Sequence, residues 1–189
     1  TMALDINQLM DNAVQSAREF RKLDQEATDK VVKAVYRAAF NARIELAKLA
    51  CKETRLGVWQ DKVIKNVIAT KWVYDDIKDL TTAGIISGDF DSDIMEIAQP
   101  LGPIMAVTPI TNPTSTVLFK ILISLKSRNP IIIRPHGAAK KSTVKAARIC
   151  YEAALSAGAP ENCIQWVKRS TPEETQQMMG HKSIALNLA

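Results

Sequence analysis

The stretch IMAVTPITNPTSTVLFKILISLKSRNPIIIR, residues 104–134, decides the fold. It opens on the apolar run Ile104–Thr108 and closes on Pro130–Arg134, where Ile131, Ile132 and Ile133 are consecutive. Unbroken apolar runs of this length fit strands covered on both faces. Between them Val117, Leu118, Ile121, Leu122 and Leu125 recur at three- and four-residue steps, which predicts a helix over Thr114–Lys126 with that face buried. The unit reads as strand, helix, strand.

The unit repeats downstream. A helix is expected from Ala138 to Ala157, stopped by Gly158 with Pro160 beyond, and Cys163–Val167 reads as the next strand. Thr171, Pro172 and Glu174 then spell a helix start, since Thr caps, Pro suits the first helical position and Glu closes a capping box. That helix stops near Gly180, and Ile184–Leu188 is a further strand. Strands alternating with helices require a parallel sheet with right-handed crossovers, so the C-terminal half is expected to be a Rossmann-like doubly wound layer. Ending on a bare strand of such a sheet, the chain is expected to be a truncated piece of a larger fold, with a complete small α/β domain as the alternative.

Upstream, the texture is helical. Leu9, Met10, Ala13, Val14, Ala17 and Phe20 share one face of a first helix. A long second helix is expected over Gln25–Thr54, with Asp24 as its cap and Gly57 beyond its end. A third carries Val63, Val67, Ile68, Val73 and Ile77 as its packing stripe, with Gly84 past its C-terminus. Between Ile85 and Ala98 two short apolar runs flank Ser87–Asp93, which predicts a hairpin or extended arm. Three regions follow: a helical part over residues 1–84, a β arm suited to assembly over 85–98, and the incomplete Rossmann-like part over 99–189.

Composition narrows the class. Hydrophobic residues make up 47% of the 189 and charged residues 24%, the mix of a packed globular protein rather than a disordered or fibrous one. The net charge of +5 is spread along helices beside Glu and Asp, without a basic run interleaved with aromatics, so no nucleic-acid partner is expected. There is no apolar run of the roughly 18 residues that spans a bilayer, nor a basic-then-apolar signal pattern, so no membrane partner is expected and the cytoplasm is the expected compartment. Cys51, Cys150 and Cys163 are widely spaced and lack a C-x-x-C pair, which suggests reduced thiols and no metal site.

Parallel α/β sheets bind ligands beyond the carboxyl ends of their strands. Thr108, Pro109, Ile110, Thr111 and Asn112 occupy that place after the first strand, where the Asn112 amide suits an oxyanion and the helix start suits negative charge. From the residues alone, ordinary turn and cap chemistry is the simpler explanation of this loop. Arg134 and His136 follow the second strand, where they could hydrogen-bond a ribose or phosphate near this edge; Arg and His are also common surface residues at strand ends. Neither G-x-G-x-x-G nor G-x-x-x-x-G-K-[ST] occurs. Cys150 sits inside a helical run and Cys163 opens a strand, as small buried fillers do, and Cys51 has no His near in sequence.

The run Pro100–Thr116, followed by Phe119-Lys120 and Ser124–Asn129, closely resembles the N-terminal module of bifunctional aldehyde-alcohol dehydrogenases, within the aldehyde dehydrogenase superfamily. Asp61-Lys62-Val63-Ile64-Lys65-Asn66 and Ala157-Gly158-Ala159-Pro160 fit the same group, and the similarity covers nearly the whole chain. The resemblance implies an aldehyde dehydrogenase-like α/β fold: N-terminal helices, a β arm used in homo-oligomers, and here a truncated Rossmann-like parallel sheet. It implies a CoA-acylating reaction in which a short aldehyde such as acetaldehyde is interconverted with its acyl-CoA, with NAD as cofactor and coenzyme A as co-substrate. By position, Asn112 is similar to the family's oxyanion-hole asparagine. Thr108, Pro109 and Ile110 fall on the nicotinamide side of the cofactor cleft, and Arg134 and His136 fall near the adenosine ribose. General aldehyde dehydrogenases carry Lys where Arg134 stands. The family continues after this point with Thr-Gly-Gly and, later, the nucleophilic cysteine, so the chain by itself is expected to be inert. Two other outcomes stay open, a non-catalytic binding or assembly domain of this fold and a non-acylating aldehyde dehydrogenase. The Thr-Asn-Pro-Thr loop speaks against the latter, because hydrolytic members more often have an aromatic before the asparagine.

Overall fold

The computed structural model describes residues 5–89 and 94–189. Four parallel strands form the central sheet: β3 (Ile104–Val107), β4 (Ile131–Arg134), β5 (Ile164–Trp166) and β6 (Leu186–Leu188), in the order β5-β4-β3-β6. Ile104 pairs with Ile131 and with Leu186, and Val107 pairs with Arg134, so the carboxyl ends of β3, β4 and β6 open on one edge. Successive side chains on a strand face opposite ways, and the burial follows that rule. Ile104, Ala106, Ile131, Ile133 and Ile164 join one core, whereas Met105 and Ile132 join a second core across the sheet.

The first core lies under α6 (Pro113–Lys126) and α7 (Lys140–Ser156), with α2 (Gln25–Asn41) and α3 (Arg43–Thr54) packed outside them. Val117, Leu118, Ile121, Leu122 and Leu125 are all fully buried there. The second core is covered by α1 (Ile6–Phe20) and α8 (Pro172–Met179), through Ile6, Met10, Ala13 and Met178. Helices on both faces of a parallel sheet make a doubly wound α/β layer. The helix starts obey local chemistry: Asp5 and Asp24 accept from Gln8 N and Ala27 N, and Thr171 with Glu174 forms a complete capping box on α8. No described helix is long and apolar enough to cross a membrane, and no group of His, Cys, Asp and Glu among the described residues could hold a metal ion.

Several expectations are corrected. The long helix over residues 25–54 is two helices that meet at Ala42, where ψ rises to 0° without any Gly or Pro. Tertiary bonds hold the break: the Arg43 guanidinium donates to Phe40 O (2.8 Å) and covers the Phe40 ring, while Asn66 Nδ2 donates to Arg43 O (2.9 Å). The helix then ends through Arg55 in the left-handed region (φ 56°), with Gly57 also at positive φ. The third helix divides into α4 (Trp59–Val67), a π turn (Ile68–Trp72) and α5 (Val73–Ile77). Its buried positions are Lys62, Asn66, Ala69 and Thr70, not the apolar stripe; Ile68 is exposed, and Val63, Val67, Val73 and Ile77 are half-buried. The arm is a hairpin of β1 (Gly84–Asp89) and β2 (Ile94–Ala98), so Ser87-Gly88 belongs to a strand instead of the turn. The expected turn residues 90–93 lie outside the described residues.

Cys150 on α7 and Cys163 before β5 are buried free thiols in the first core. Burial pushes each up to about 12, and for Cys150 the neighbouring Cys163 adds to the effect. An unfolded thiol ionises near 9 while the folded one keeps its proton to about 12, so the unfolded state binds fewer protons in that interval and stability falls as pH rises through it. Each thiol contributes about 1.4 kcal/mol per pH unit in that range. Urea unfolding between pH 8 and 10.5 is expected to show this decline, and Cys150→Ala with Cys163→Ala to flatten it. An identical slope in both proteins contradicts the assignment.

Candidate functional site

At the carboxyl edge of the sheet lies a cleft of about 830 Å³. Val107, Thr108 and Pro109 border it from the end of β3, Arg134 and His136 from the end of β4, and Ala189 from the end of β6. Asn112, Ser115, Thr116, Phe119 and Lys120 of α6 and its preceding loop form a second wall, and Lys65, Ile68, Ala69 and Val73 close the third. Thr108, Pro109, Asn112, Arg134 and His136, the candidates that the sequence offers, all border this one cavity. Ile110 does not, because it lies half-buried in the bend between Pro109 and Thr111.

The strand tips are fastened in two ways. Thr108 N donates to Arg134 O (3.1 Å), continuing the β3–β4 pairing past its last ladder residue. Lys120, 7% exposed, reaches under the cleft and donates from Nζ to Val107 O and Leu188 O, both at 2.8 Å. Burial holds the Lys120 ammonium below the usual lysine range. It is one cation inside the apolar run Val117–Leu125, and that interruption was the signal by which the sequence could have revealed it.

The three sheet helices differ at their N-termini. At α7, Glu53 from α3 accepts from Lys141 N (2.6 Å) and Ser142 N (2.7 Å), filling the positive end of that helix with the protein's own carboxylate. At α8, Glu174 accepts from Thr171 N and closes the capping box. At α6 the cap residue Asn112 makes no side-chain cap bond and Pro113 has no N–H, so the Thr114 and Ser115 amides have no side-chain acceptor, while Thr116 N donates to Asn112 O (3.1 Å).

The Thr111–Thr114 loop is gripped from α4. Lys62, 6% exposed, donates from Nζ to Thr111 O (2.8 Å), Lys65 Nζ donates to Asn112 Oδ1 (2.8 Å), and Asn66 Oδ1 accepts from Thr114 Oγ1 (2.9 Å). Burial, and then the nearby Lys65, hold the Lys62 ammonium below the usual range. These are the residues of the Asp61–Asn66 run, whose role was not visible in one dimension: polar residues at i, i+3 and i+4 reach the Thr111–Thr114 loop, and Lys62 and Asn66 are buried where a packing stripe is expected.

On the β4 side, Arg134 Nε donates to Ser170 Oγ (3.4 Å), and no carboxylate pairs with Arg134 among the described residues. The guanidinium borders the main cleft and also a smaller cavity under Pro172, Thr175, Gln176, Met179 and Gly180. His136 Nδ1 accepts from Ala138 N (3.1 Å), capping the short 3-10 turn Gly137–Ala139. Of the thiols, Cys150 and Cys163 are sealed in the core, and Cys51 Sγ donates to Gly57 O (3.2 Å) away from the cleft.

A doubly wound sheet with a ligand cleft at its carboxyl edge and an asparagine amide at the first strand–helix turn defines the class, and the profile of the aldehyde dehydrogenase family matches residues 1–187. The chain belongs to the aldehyde dehydrogenase family. It is 43% identical over 189 residues to the bifunctional aldehyde-alcohol dehydrogenase AdhE of Escherichia coli (strain K12), which covers all of this chain and 21% of that protein. The chain thus spans about a fifth of the length of such relatives. Among solved structures, a probable aldehyde dehydrogenase from Listeria monocytogenes EGD-e superposes with a TM-score of 0.96 at 43% identity, over 98% of this chain and 41% of that one. An acetylating aldehyde dehydrogenase from Geobacillus thermoglucosidasius superposes at 0.95 and 40% identity, over 98% and 41%.

Proposed function

We propose that the chain forms the cofactor side of a CoA-acylating aldehyde dehydrogenase that interconverts a short aldehyde, acetaldehyde foremost, and its acyl-CoA with NAD(H). The observation that carries it is the cleft in which Asn112, Thr108 and Arg134 meet at the ends of adjacent parallel strands. In this proposal residues 1–84 and 99–189 build the cofactor-binding part together, and the 85–98 hairpin joins copies of the protein. The hairpin supports that role because Ile85, Ile86, Ile94, Met95 and Ile97 are each more than half exposed.

The residues present fit a dinucleotide. The volume is in the usual range of ligand clefts, the walls pair apolar Val107, Pro109, Ile68 and Ala69 with cations, and one uncapped helix start faces inward. Arg134 would hold the adenosine ribose, with His136 beside it, and Thr108 and Pro109 would flank the nicotinamide. The bound cofactor supplies the hydride carrier. Asn112 donates an amide hydrogen bond to the carbonyl oxygen as negative charge grows there, and the open amides at the start of α6 add to the same field. Lys120 keeps the β3 and β6 tips together so that the walls hold their spacing. In this proposal the nucleophile is supplied by the part of the full-length protein outside residues 1–189, and purified residues 1–189 are expected to show no NADH-dependent turnover.

Arg134 gives the direct test. Arg134→Met in the full-length protein keeps an unbranched stem and removes the donors, a loss of about 1.5 kcal/mol or more that weakens dinucleotide binding at least tenfold. Calorimetric titration with NADH measures it, and an unchanged Kd rejects the assigned site.

A further inference from the structure

Asn112 can serve as a donor only if its amide nitrogen, and not its oxygen, faces the reacting carbonyl. Nothing in the residue itself decides this, because the two ends of the amide have the same shape. The decision comes from α4. An ammonium group has donors only, so the Asn112 atom that lies 2.8 Å from Lys65 Nζ must be the oxygen. The amide nitrogen is left with one long contact, 3.5 Å to Thr111 Oγ1, on a side chain that borders the cleft. A charged donor on the oxygen also draws electron density from the amide and strengthens its N–H groups as donors.

We propose that Lys65 is a positioning residue that orients and polarises the Asn112 amide toward the substrate carbonyl. The proposal rests on the oxyanion role given to Asn112 above. The supporting geometry extends beyond one bond. Lys62, one helical turn earlier, holds Thr111 O, and Asn66 holds Thr114 Oγ1, so both flanks of Asn112 are fixed to the same helix face. Lys65 holds the amide oxygen, and it is exposed, with no carboxylate within ion-pair distance among the described residues. Replacing it therefore leaves the fold intact and alters the amide.

The experiment is a double-mutant cycle in the full-length protein, read as kcat and KM for acetyl-CoA reduction by NADH. Lys65→Met is expected to lower kcat about tenfold, equivalent to ~1.4 kcal/mol, with both KM values within about twofold of the parent. Lys65→Arg, which keeps a charged donor, is expected to restore most of the rate. In the Asn112→Ala background, Lys65→Met is expected to change nothing further, because the group through which it acts is gone. If Lys65→Met lowers kcat equally in both backgrounds, or raises the KM of NADH or acetyl-CoA in both, Lys65 acts on its own and the proposal is overturned while the role of Asn112 stands. If Asn112→Ala alone leaves kcat unchanged, the oxyanion role fails first and this proposal with it.

Discussion

Asn112→Ala in the full-length protein is expected to lower kcat for acyl-CoA reduction by about 10²-fold or more, with little change in KM. Removing one preorganised oxyanion donor typically costs ~2.7–4 kcal/mol, felt only where charge develops. The structural cost should be slight, since Asn112 makes no side-chain cap bond and its oxygen contacts a surface lysine. Steady-state kinetics separate this from loss of binding. A variant whose KM rises while kcat holds would show that the amide serves ground-state binding, and an unchanged variant removes Asn112 from the chemistry.

The second large effect is on stability. Arg128 sits in the left-handed region (φ 56°), is 5% exposed, and donates to Leu23 O (3.2 Å), Thr82 O (3.1 Å) and Ala98 O (3.0 Å). It ties the α1–α2 connection, the approach to β1 and the end of β2 to the turn after α6. Burial, and then the nearby Arg21, lower its pKa, yet guanidinium remains charged under ordinary conditions. Arg128→Ala strips three part-buried carbonyls of a charged donor, and bonds to charged groups contribute about 1.5–3 kcal/mol each. Some of that is offset because the desolvated guanidinium is also gone, leaving an expected loss of about 3–5 kcal/mol. Arg128→Lys recovers only part, since one ammonium cannot span three carbonyls that the planar fork reaches. Urea unfolding measures both; a loss under about 1 kcal/mol for Arg128→Ala contradicts the hub.

The strands and the helices that cover them were legible because their burial is nearly complete and leaves a local mark. Ile131–Ile133 has apolar neighbours above and below the sheet, so no alternation was required of it, and Val117–Leu125 kept its helical period because one whole face meets the sheet. Caps were legible for the same reason: Asp24, Thr171 and Glu174 act within four residues of themselves. The features that were not legible depend on residues far apart in sequence. The break at Ala42 is held by Asn66, and the inward turn of Lys62 and Asn66 is meaningful only against Thr111 and Thr114. Glu53, which looks like any exposed helix glutamate, is fixed by its bonds to Lys141 and Ser142. That Thr108, Arg134 and His136 border one cavity was legible because the fold dictates where such strand tips converge. The side chains that support them were missed because periodicity reports burial and not partners.

The central claim is that the edge where β3, β4 and β6 end receives the dinucleotide with Asn112 beside the reacting carbon. A crystal structure of the full-length protein with bound NADH tests it most directly. The ribose is expected within hydrogen-bonding distance of Arg134, and the nicotinamide ring against Thr108 and Pro109 with its hydride face on the Asn112 side. Density for the dinucleotide elsewhere, or with Asn112 on the far side of the ring from the reacting carbon, contradicts it.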